Sequence, residues 1–393
     1  MSGINGMSGI NTDRAAGAAT NATEAGTRLL VRRGDLHDVR LTTDPDAPAA
    51  RALAPGQVRL RTESFALTAN NITYAAFGEA MKYWQFFPAD EGFGCIPVWG
   101  FATVVESRCA GIEPGLRVYG YLPMGSHVVV QPERVAAHGF IDGSAHRADL
   151  ARAYNEYVAC DADPLYRADQ EGLQALLRPL FTTSFLLDDF LAEQQYFGAR
   201  RMLLSSASSK TAIGTAFCAA RRSDRPAIVG LTSEGNVDFV RSLGCYDSVL
   251  AYADVPTMDA KEPTVYVDFA GSAALRRSVH ERLGDALRYS CAVGGSHWEE
   301  LRGREQLPGP APQLFFAPAQ AQQRAKPAPE GWGRQGLQQA IASAWHAFIE
   351  RLGSAQPPWI IVRNDQGAAA VEQAYRALLA GGVDPRDGLM LSF

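Results

Sequence analysis

Cysteine is scarce in this chain: there are six among 393 residues, Cys95, Cys109, Cys160, Cys218, Cys245 and Cys291. They are scattered, with no C-x-x-C pair and no Cys/His cluster, which argues against a disulfide framework and against structural zinc. A reducing compartment suits such a chain, and the cytoplasm is the expectation. No uncharged apolar run reaches about 18 residues, so no transmembrane helix is expected. A net charge of -5 offers no basic excess to attract nucleic acid or an anionic membrane. Lysine is rarer still, with Lys82, Lys210, Lys261 and Lys326 set against many arginines. The opening MSGINGMSGINTDRAAGAATNATEAG lacks the apolar centre of a signal peptide and is expected to be a flexible leader over residues 1–28.

What is present falls into blocks. From about Leu29 to Val135 short apolar or alternating runs (Gln57–Thr62, Phe101–Glu106, Arg117–Tyr121, His127–Val130) are separated by Pro55-Gly56, Pro114-Gly115 and Gly125. This is the pattern of a small barrel or folded sheet. Between Gly139 and Arg178 alanine, leucine and charges recur at helical spacing, as in Ala148–Tyr154. From Arg201 to about Ala319 strand-like runs (Met202–Ser206, Ala227–Leu231, Ser248–Tyr252, Thr264–Phe269, Leu287–Val293, Leu314–Ala317) follow one another. The helical stretches Ala212–Ala220 and Val237–Leu243 lie between the first three. Such alternation predicts a doubly wound, mostly parallel α/β sheet of six strands. Residues 318–336 read as a loop, then a helix over 336–352, a strand over Trp359–Val362, a helix over Ala368–Ala380 and a closing strand.

Several local elements occur in a familiar order. They are Pro55-Gly56-Gln57-Val58, Pro114-Gly115-Leu116-Arg117-Val118-Tyr119-Gly120, Thr183-Ser184-Phe185, Ser242-Leu243-Gly244-Cys245-Tyr246-Asp247, Val267-Asp268-Phe269-Ala270-Gly271 and Arg386-Asp387-Gly388-Leu389-Met390-Leu391. In that order the chain resembles the medium-chain dehydrogenase/reductases, on the quinone oxidoreductase and enoyl reductase branch. The resemblance implies a leader (1–28), a GroES-like β-rich domain with a helical bridge (29–180), a Rossmann domain (181–350) and a return to the first domain (351–393). It also implies NADP(H), a small-molecule or acyl-thioester substrate, and a homodimer. Where zinc-dependent relatives carry Gly-His-Glu this chain has Val98-Trp99-Gly100, so no metal is expected.

The nucleotide loop departs from the family's glycine-rich form. Ser206-Ala207-Ser208-Ser209-Lys210-Thr211-Ala212 contains no glycine, although glycine is what lets backbone amides approach a pyrophosphate. Hydroxyls of Ser206, Ser208, Ser209 and Thr211 and the ammonium of Lys210 could take over, being good donors to phosphate oxygens. The alternative is a merely capped helix start that binds nothing. The loop also lacks the glycines of a P-loop. The second strand ends in Thr232-Ser233, small and uncharged, with Asn236 just beyond. NAD sites place an acid there, so NADPH is favoured. The resemblance adds Thr183, Gly271 and Phe316 as cofactor contacts.

For chemistry, the matching segment is Leu67–Tyr74 followed by Lys82-Tyr83-Trp84. A tyrosine can donate a proton to, or hydrogen-bond, a developing enolate, which makes Tyr74 and then Tyr83 the candidates, with Asn70 or Asn71 positioning. The other reading is that these aromatics only pack. His297, after the fifth strand, is a weaker candidate, and Asp188-Asp189 is read as a solvated helix face. The function expected is zinc-independent, NADPH-dependent reduction of an enone, enoyl thioester or quinone. The alternatives are carbonyl reduction and a non-catalytic accessory role.

Overall fold

The computed structural model describes residues 25–293 and 307–393, which fall into two compact units. The first, the described residues up to 163 with 364–382 and 390–393, is β-rich. Its strands are β1 (Thr27–Arg32), β2 (Asp35–Thr43), β3 (Val58–Leu67), β4 (Phe93–Gly94), β5 (Pro97–Ser107), β6 (Arg117–Pro123), β7 (His127–Val130), β8 (Pro132–Ala136), β9 (Gly139–Asp142) and β10 (Glu156–Ala159). A small sheet runs β2-β1-β4, and a larger one contains β3-β5-β6-β10-β9-β8 in that order, with β7 on the flank of β3. Val58, Leu60, Phe65, Val98, Phe101, Val104 and Val118 are buried on it. Gly56 (φ +80°) and Gly115 (φ +97°) occupy left-handed positions in the expected Pro-Gly turns, a conformation glycine adopts without steric cost.

The helical reading of 139–178 needs correction over its first half. Gly139–Asp142 and Glu156–Ala159 are strands, and Ala148–Tyr154 ends in a single 3-10 turn, Arg152–Tyr154. The cause is a buried ion pair that local spacing cannot show. The Arg147 guanidinium lies 3.1 Å from the Asp142 carboxylate, each only 1% exposed. Asp142 also accepts from the backbone of Gln131 and Ser144. These bonds bend the chain where a helix would run straight.

The second unit, residues 164–363 with 383–389, holds β11 (Arg201–Leu204), β12 (Ala227–Thr232), β13 (Ser248–Ala251), β14 (Thr264–Asp268), β15 (Leu287–Ala292) and β16 (Gln313–Leu314). They form one parallel sheet ordered β13-β12-β11-β14-β15-β16. That is the doubly wound order with its switch point beside β11. Helices Lys210–Ala220, Val237–Ser242 and Ala273–Leu283 connect the strands. Leu203, Leu231, Val255, Tyr266, Val279 and Leu283 form a core under one face. The unit begins at Pro164, ahead of residue 181, because one continuous helix, Glu171–Glu193, runs through that point and packs along Lys210–Ala220. Immediately after it, Gln195, Tyr196 and Phe197 all have left-handed backbones (φ 49°, 48°, 53°). The Phe197 ring stacks on Tyr289 at 4.1 Å and 8°, which anchors an otherwise unfavourable turn.

Two further expectations are revised here. The strand expected over Leu314–Ala317 is only Gln313–Leu314, and the expected loop contains a helix, Ala317–Arg324, with proline in its first turn. Asp188 and Asp189 are not a solvated face: they are 3% and 4% exposed. Asp189 receives Gln320 Nε2 at 2.7 Å and both Nε (2.6 Å) and an Nη (3.0 Å) of Arg324, and Glu193 lies 2.9 Å from the same guanidinium. This carboxylate fastens the short helix to the long one. Asp188 takes Arg222 Nε at 2.9 Å.

Asp189→Ala leaves the Arg324 guanidinium with Glu193 as its remaining carboxylate and is expected to destabilise the protein by about 3 kcal/mol in urea unfolding, the scale for halving a buried pair. An unchanged midpoint would show that Glu193 by itself satisfies Arg324. Burial pushes the Asp188 carboxyl up to about 6, opposed by Arg222 and assisted by Asp189. The folded chain therefore holds that proton more tightly than the unfolded chain, whose aspartates titrate near about 3.9. The associated stability is complete below pH about 4 and is lost as pH rises through about 6. Comparing unfolding of wild type and Asp188→Asn between pH 4 and 7 is expected to show this slope only in wild type.

Candidate functional site

The switch point of the second unit is built from serines. β11 ends at Leu204, and Ser205, fully buried, donates its hydroxyl to Asp268 Oδ1 at 2.9 Å. Ser205 Oγ itself accepts the amides of Phe269 (2.9 Å) and Ala270 (3.0 Å). Asp268 also takes the Gly271 amide and, at 3.1 Å, Arg276 Nε. Ser206 then turns left-handed (φ 48°), and Ala207 points inward, its amide bonded to Leu231 O and its carbonyl to the Tyr246 hydroxyl at 2.8 Å. Ser209 caps the helix Lys210–Ala220 by accepting the Ala212 amide. The amides of Lys210 and Thr211, in the first turn, have no acceptor within the helix. They carry the partial positive charge of a helix N-terminus.

Gly230 explains how a loop without glycine fits. A Cβ on Gly230 would lie 2.9 Å from the Ala207 Cβ and 3.0 Å from Tyr246 Cδ1. The missing side chain sits on the neighbouring strand, and Ala207 fills the space.

Around this loop, Asn236 Nδ2 donates to Ser208 Oγ at 3.3 Å, joining the end of β12 to the loop. Thr232 is 1% exposed and its hydroxyl has no partner among the described residues. Ser233 is exposed and precedes the turn Glu234–Asn236. Beyond the ends of β13 and β14 a cleft of about 380 Å³ is lined by Tyr252, Ala270, Ser272, Leu275 and Ser278. Ser206, Ser208, Ser209, Thr211, Thr232, Ser233, Asn236 and Gly271 are thus strand-end and loop residues of one sheet edge.

Other candidates lie elsewhere or are engaged. Lys210 does not point at the loop's open side: its ammonium donates to Pro385 O and Asp387 O, each at 3.2 Å, and burial pushes it down to about 8. Thr183 donates to Pro179 O within its own helix. Its neighbour Ser184, which sequence reasoning passed over, is the working residue: wholly buried, it donates to Thr211 O at 2.7 Å and so ties the long helix to the loop's helix. Phe316 is 57% exposed at the start of Ala317–Arg324. Ser205, Tyr246 and Tyr252 were also missed, since nothing local distinguishes a hydroxyl that will bridge two strands. His297 lies outside the described residues.

In the first unit, Asn71 corrects the positioning expectation. Its Oδ1 accepts from the Thr68 amide (2.7 Å) and hydroxyl (3.2 Å), and its Nδ2 donates to Pro97 O (2.9 Å). The side chain caps the helix Ala69–Ala76 and is 3% exposed, its oxygen and one of its two N–H donors already engaged. Tyr74 is 5% exposed and accepts Trp99 Nε1 at 3.4 Å. Tyr83 is half-buried, with its ring 4.6 Å from that of Tyr74. Tyr121 and Tyr154 (4.7 Å apart) complete an aromatic group. Burial, then Tyr154, pushes the Tyr74 and Tyr83 phenols well above the usual value, so both keep their protons at neutral pH. Among the described residues no group of three His, Cys, Asp or Glu side chains is placed to hold a metal ion.

The architecture recurs in solved enzymes. A putative NADPH:quinone reductase from Mesorhizobium loti is 11% identical, covering 93% of this chain and 98% of its own, with a TM-score of 0.57. Etr1p, solved with NADP and crotonyl-CoA, is 12% identical over 94% and 99% (TM-score 0.54). CurA from Vibrio vulnificus, solved with NADPH, is 12% identical over 93% and 98% (TM-score 0.51). The fold is therefore that of the medium-chain dehydrogenase/reductases, a GroES-like β-rich unit and a Rossmann unit. The chain itself belongs to the family described as protein of unknown function (DUF2855), whose model matches residues 65–384. No curated protein matches it.

Gly230→Ala is expected to cost about 1–3 kcal/mol, the scale of overpacking, measured by chemical denaturation. Adding Ala207→Gly is expected to restore most of the loss. A double variant no more stable than the single one would mean that Tyr246, not Ala207, sets the limit.

Proposed function

We propose that this chain is an NADPH-dependent oxidoreductase that reduces an activated carbon–carbon double bond, in an enone, enoyl thioester or quinone, without zinc. The observation that carries the reading is the serine-built turn at the switch point of a 3-2-1-4-5-6 parallel sheet, which opens a helix with unsatisfied amides. Ligands bind at this place in doubly wound sheets, and a helix start favours phosphate. The orphaned, buried Thr232 hydroxyl beside it has an unmet hydrogen bond, which a buried polar group rarely leaves open. The solved relatives, by their titles an NADPH:quinone reductase, an NADP and crotonyl-CoA complex and an NADPH complex, support the same class of chemistry.

In this reading the amides of Lys210 and Thr211 with the hydroxyls of Ser206 and Ser208 hold the pyrophosphate, and Thr232 and Asn236 meet the ribose. The uncharged Thr232-Ser233 end leaves the 2′-phosphate unopposed by an acid on the strand, and Glu234 stands in the turn beyond. A nicotinamide bound there would supply the hydride. Tyr83, half-buried and protonated at neutral pH, is the proposed proton source, and Tyr74, turned to Trp99, supports it by packing. A phenol held above its usual value is a weak acid in water yet still gives a proton to an enolate.

Fluorescence titration is expected to show tighter binding of NADPH than NADH, and a substrate panel is expected to show turnover of enones or quinones in preference to ketones. Preference for NADH would put the Thr232-Ser233 reading aside. Binding of neither nucleotide would leave an accessory protein on this fold.

A further inference from the structure

The lysine of the nucleotide loop has two ends with two destinations. Its backbone amide lies in the first turn of the helix Lys210–Ala220, where the helix itself offers no acceptor. Its ammonium reaches Pro385 O and Asp387 O, both at 3.2 Å. These carbonyls belong to Val383–Leu389, a short segment that rejoins the second unit from the far C-terminal end of the chain.

Backbone bonds hold part of that segment: the Ile361 amide donates to Arg386 O at 2.8 Å, and the Asp387 amide to Asp384 O at 2.9 Å. Arg363 Nε pairs with Asp387 at 3.0 Å, and Arg386 pairs with Asp384 at 2.9 Å, with the arginines about half exposed; exposed pairs of this kind hold weakly. Gly388 is packed so closely on the long helix that a Cβ there would run into Leu176. The seating therefore has to be accurate, and the two bonds from Lys210 are the side-chain contacts that tie it to the nucleotide loop. Burial is the main force pushing the ammonium down, while the carboxylates of Asp387 and Asp384 oppose it. Holding a charge in such a place costs stability. A nearby phosphate would recover part of that cost.

We propose that Lys210 is a positioning residue that fastens the returning segment Val383–Leu389 to the nucleotide loop, so that the order of this segment and the occupancy of the loop support each other. The coupling rests on the cofactor reading above, whereas the fastening does not. An anion at the helix start favours the charged ammonium, and a charged donor grips two carbonyls harder than a neutral amine. Linkage makes the effect reciprocal: whatever orders the segment also favours the anion. Because the ammonium titrates near 8, the apo fastening weakens as pH rises through that value, and NADPH moves the loss to higher pH. The charged groups facing the ammonium are Asp387 and Asp384, and the bond from Arg386 holds the Asp384 carboxyl down to about 2.

Hydrogen exchange of the peptide spanning residues 383–389, read by mass spectrometry on the full chain, tests both parts. Without nucleotide, Lys210→Met is expected to exchange about ten-fold faster than wild type in this peptide, while Lys210→Arg, which keeps a charged donor, falls between. Saturating NADPH, with binding verified by fluorescence, is expected to slow exchange in wild type and to leave Lys210→Met unchanged. Equal exchange in wild type and both variants without nucleotide overturns the fastening. Verified NADPH binding with no slowing in wild type overturns the coupling. Absence of NADPH binding removes the coupling together with the cofactor reading, and the comparison without nucleotide still decides the fastening alone.

Discussion

Peptide groups that follow the end of a parallel strand have no ladder to bond to, and in the second unit one hydroxyl satisfies them. Ser205, at the tip of β11, accepts the amides of Phe269 and Ala270 beyond β14 and gives its proton to Asp268. Asp268 in turn holds Gly271 and Arg276. Two adjacent strand ends are thereby fixed to one another, and the turn of Ser206 to Ser209 starts from a rigid point. Without this hub neither the cleft edge at Ala270 and Ser272 nor the helix start at Lys210 has a defined position. The group is buried and every member has a partner, the condition under which a polar network specifies structure.

The other constraints on the second unit are of the same kind, side chains from distant parts of the sequence reaching backbone of the loop and its helix. Ser184 reaches Thr211 O, Tyr246 reaches Ala207 O, and Lys210 reaches back to Pro385 and Asp387. Each bond costs the side chain its freedom and returns accuracy in the placement of a few amides. Those amides matter because a helix start acts on an anion over a short range only. A loop built from residues with side chains needs such support more than a glycine loop does. Glycine can approach a ligand in several conformations, whereas Ser206 and Ala207 have one arrangement that fits against Gly230.

In the first unit the aromatic group of Tyr74, Tyr83, Tyr121, Tyr154 and Trp99 combines packing with chemistry. Its rings meet in tilted and edge-on contacts between 4.6 and 6.5 Å, the geometry aromatic quadrupoles favour. The same burial that makes the cluster stable keeps its phenols protonated. Tyr83, Trp99 and Tyr154 are half-buried, and Tyr83 and Tyr154 are the phenols with access to solvent. The position of Tyr83 after a left-handed Lys82 (φ 60°) marks a sharp entry into its turn.

The order of strands and helices in the second unit, the Pro-Gly turns of the first and the serine-rich loop were legible from residue pattern, because periodic burial and turn chemistry are local properties. His127–Val130 was read to the residue, and Ala227–Thr232 to within one. What the pattern misjudged turned on partners far away in the chain. Asp189 looks like any surface acid until Arg324 closes on it, 135 residues later. Ala148–Tyr154 has helical spacing, yet Arg147 is pulled to Asp142. Lys210 looked like a phosphate ligand because a cation stood beside a helix start; the carbonyls of Pro385 and Asp387, some 175 residues on, claim its ammonium. Sequence alone determined the alternation of strands and helices through β11 to β15 and the Pro-Gly turns. Where a polar side chain spends its hydrogen bonds was decided only by the tertiary structure, since burial makes every unpaired polar atom costly and the nearest partner in space is seldom near in sequence.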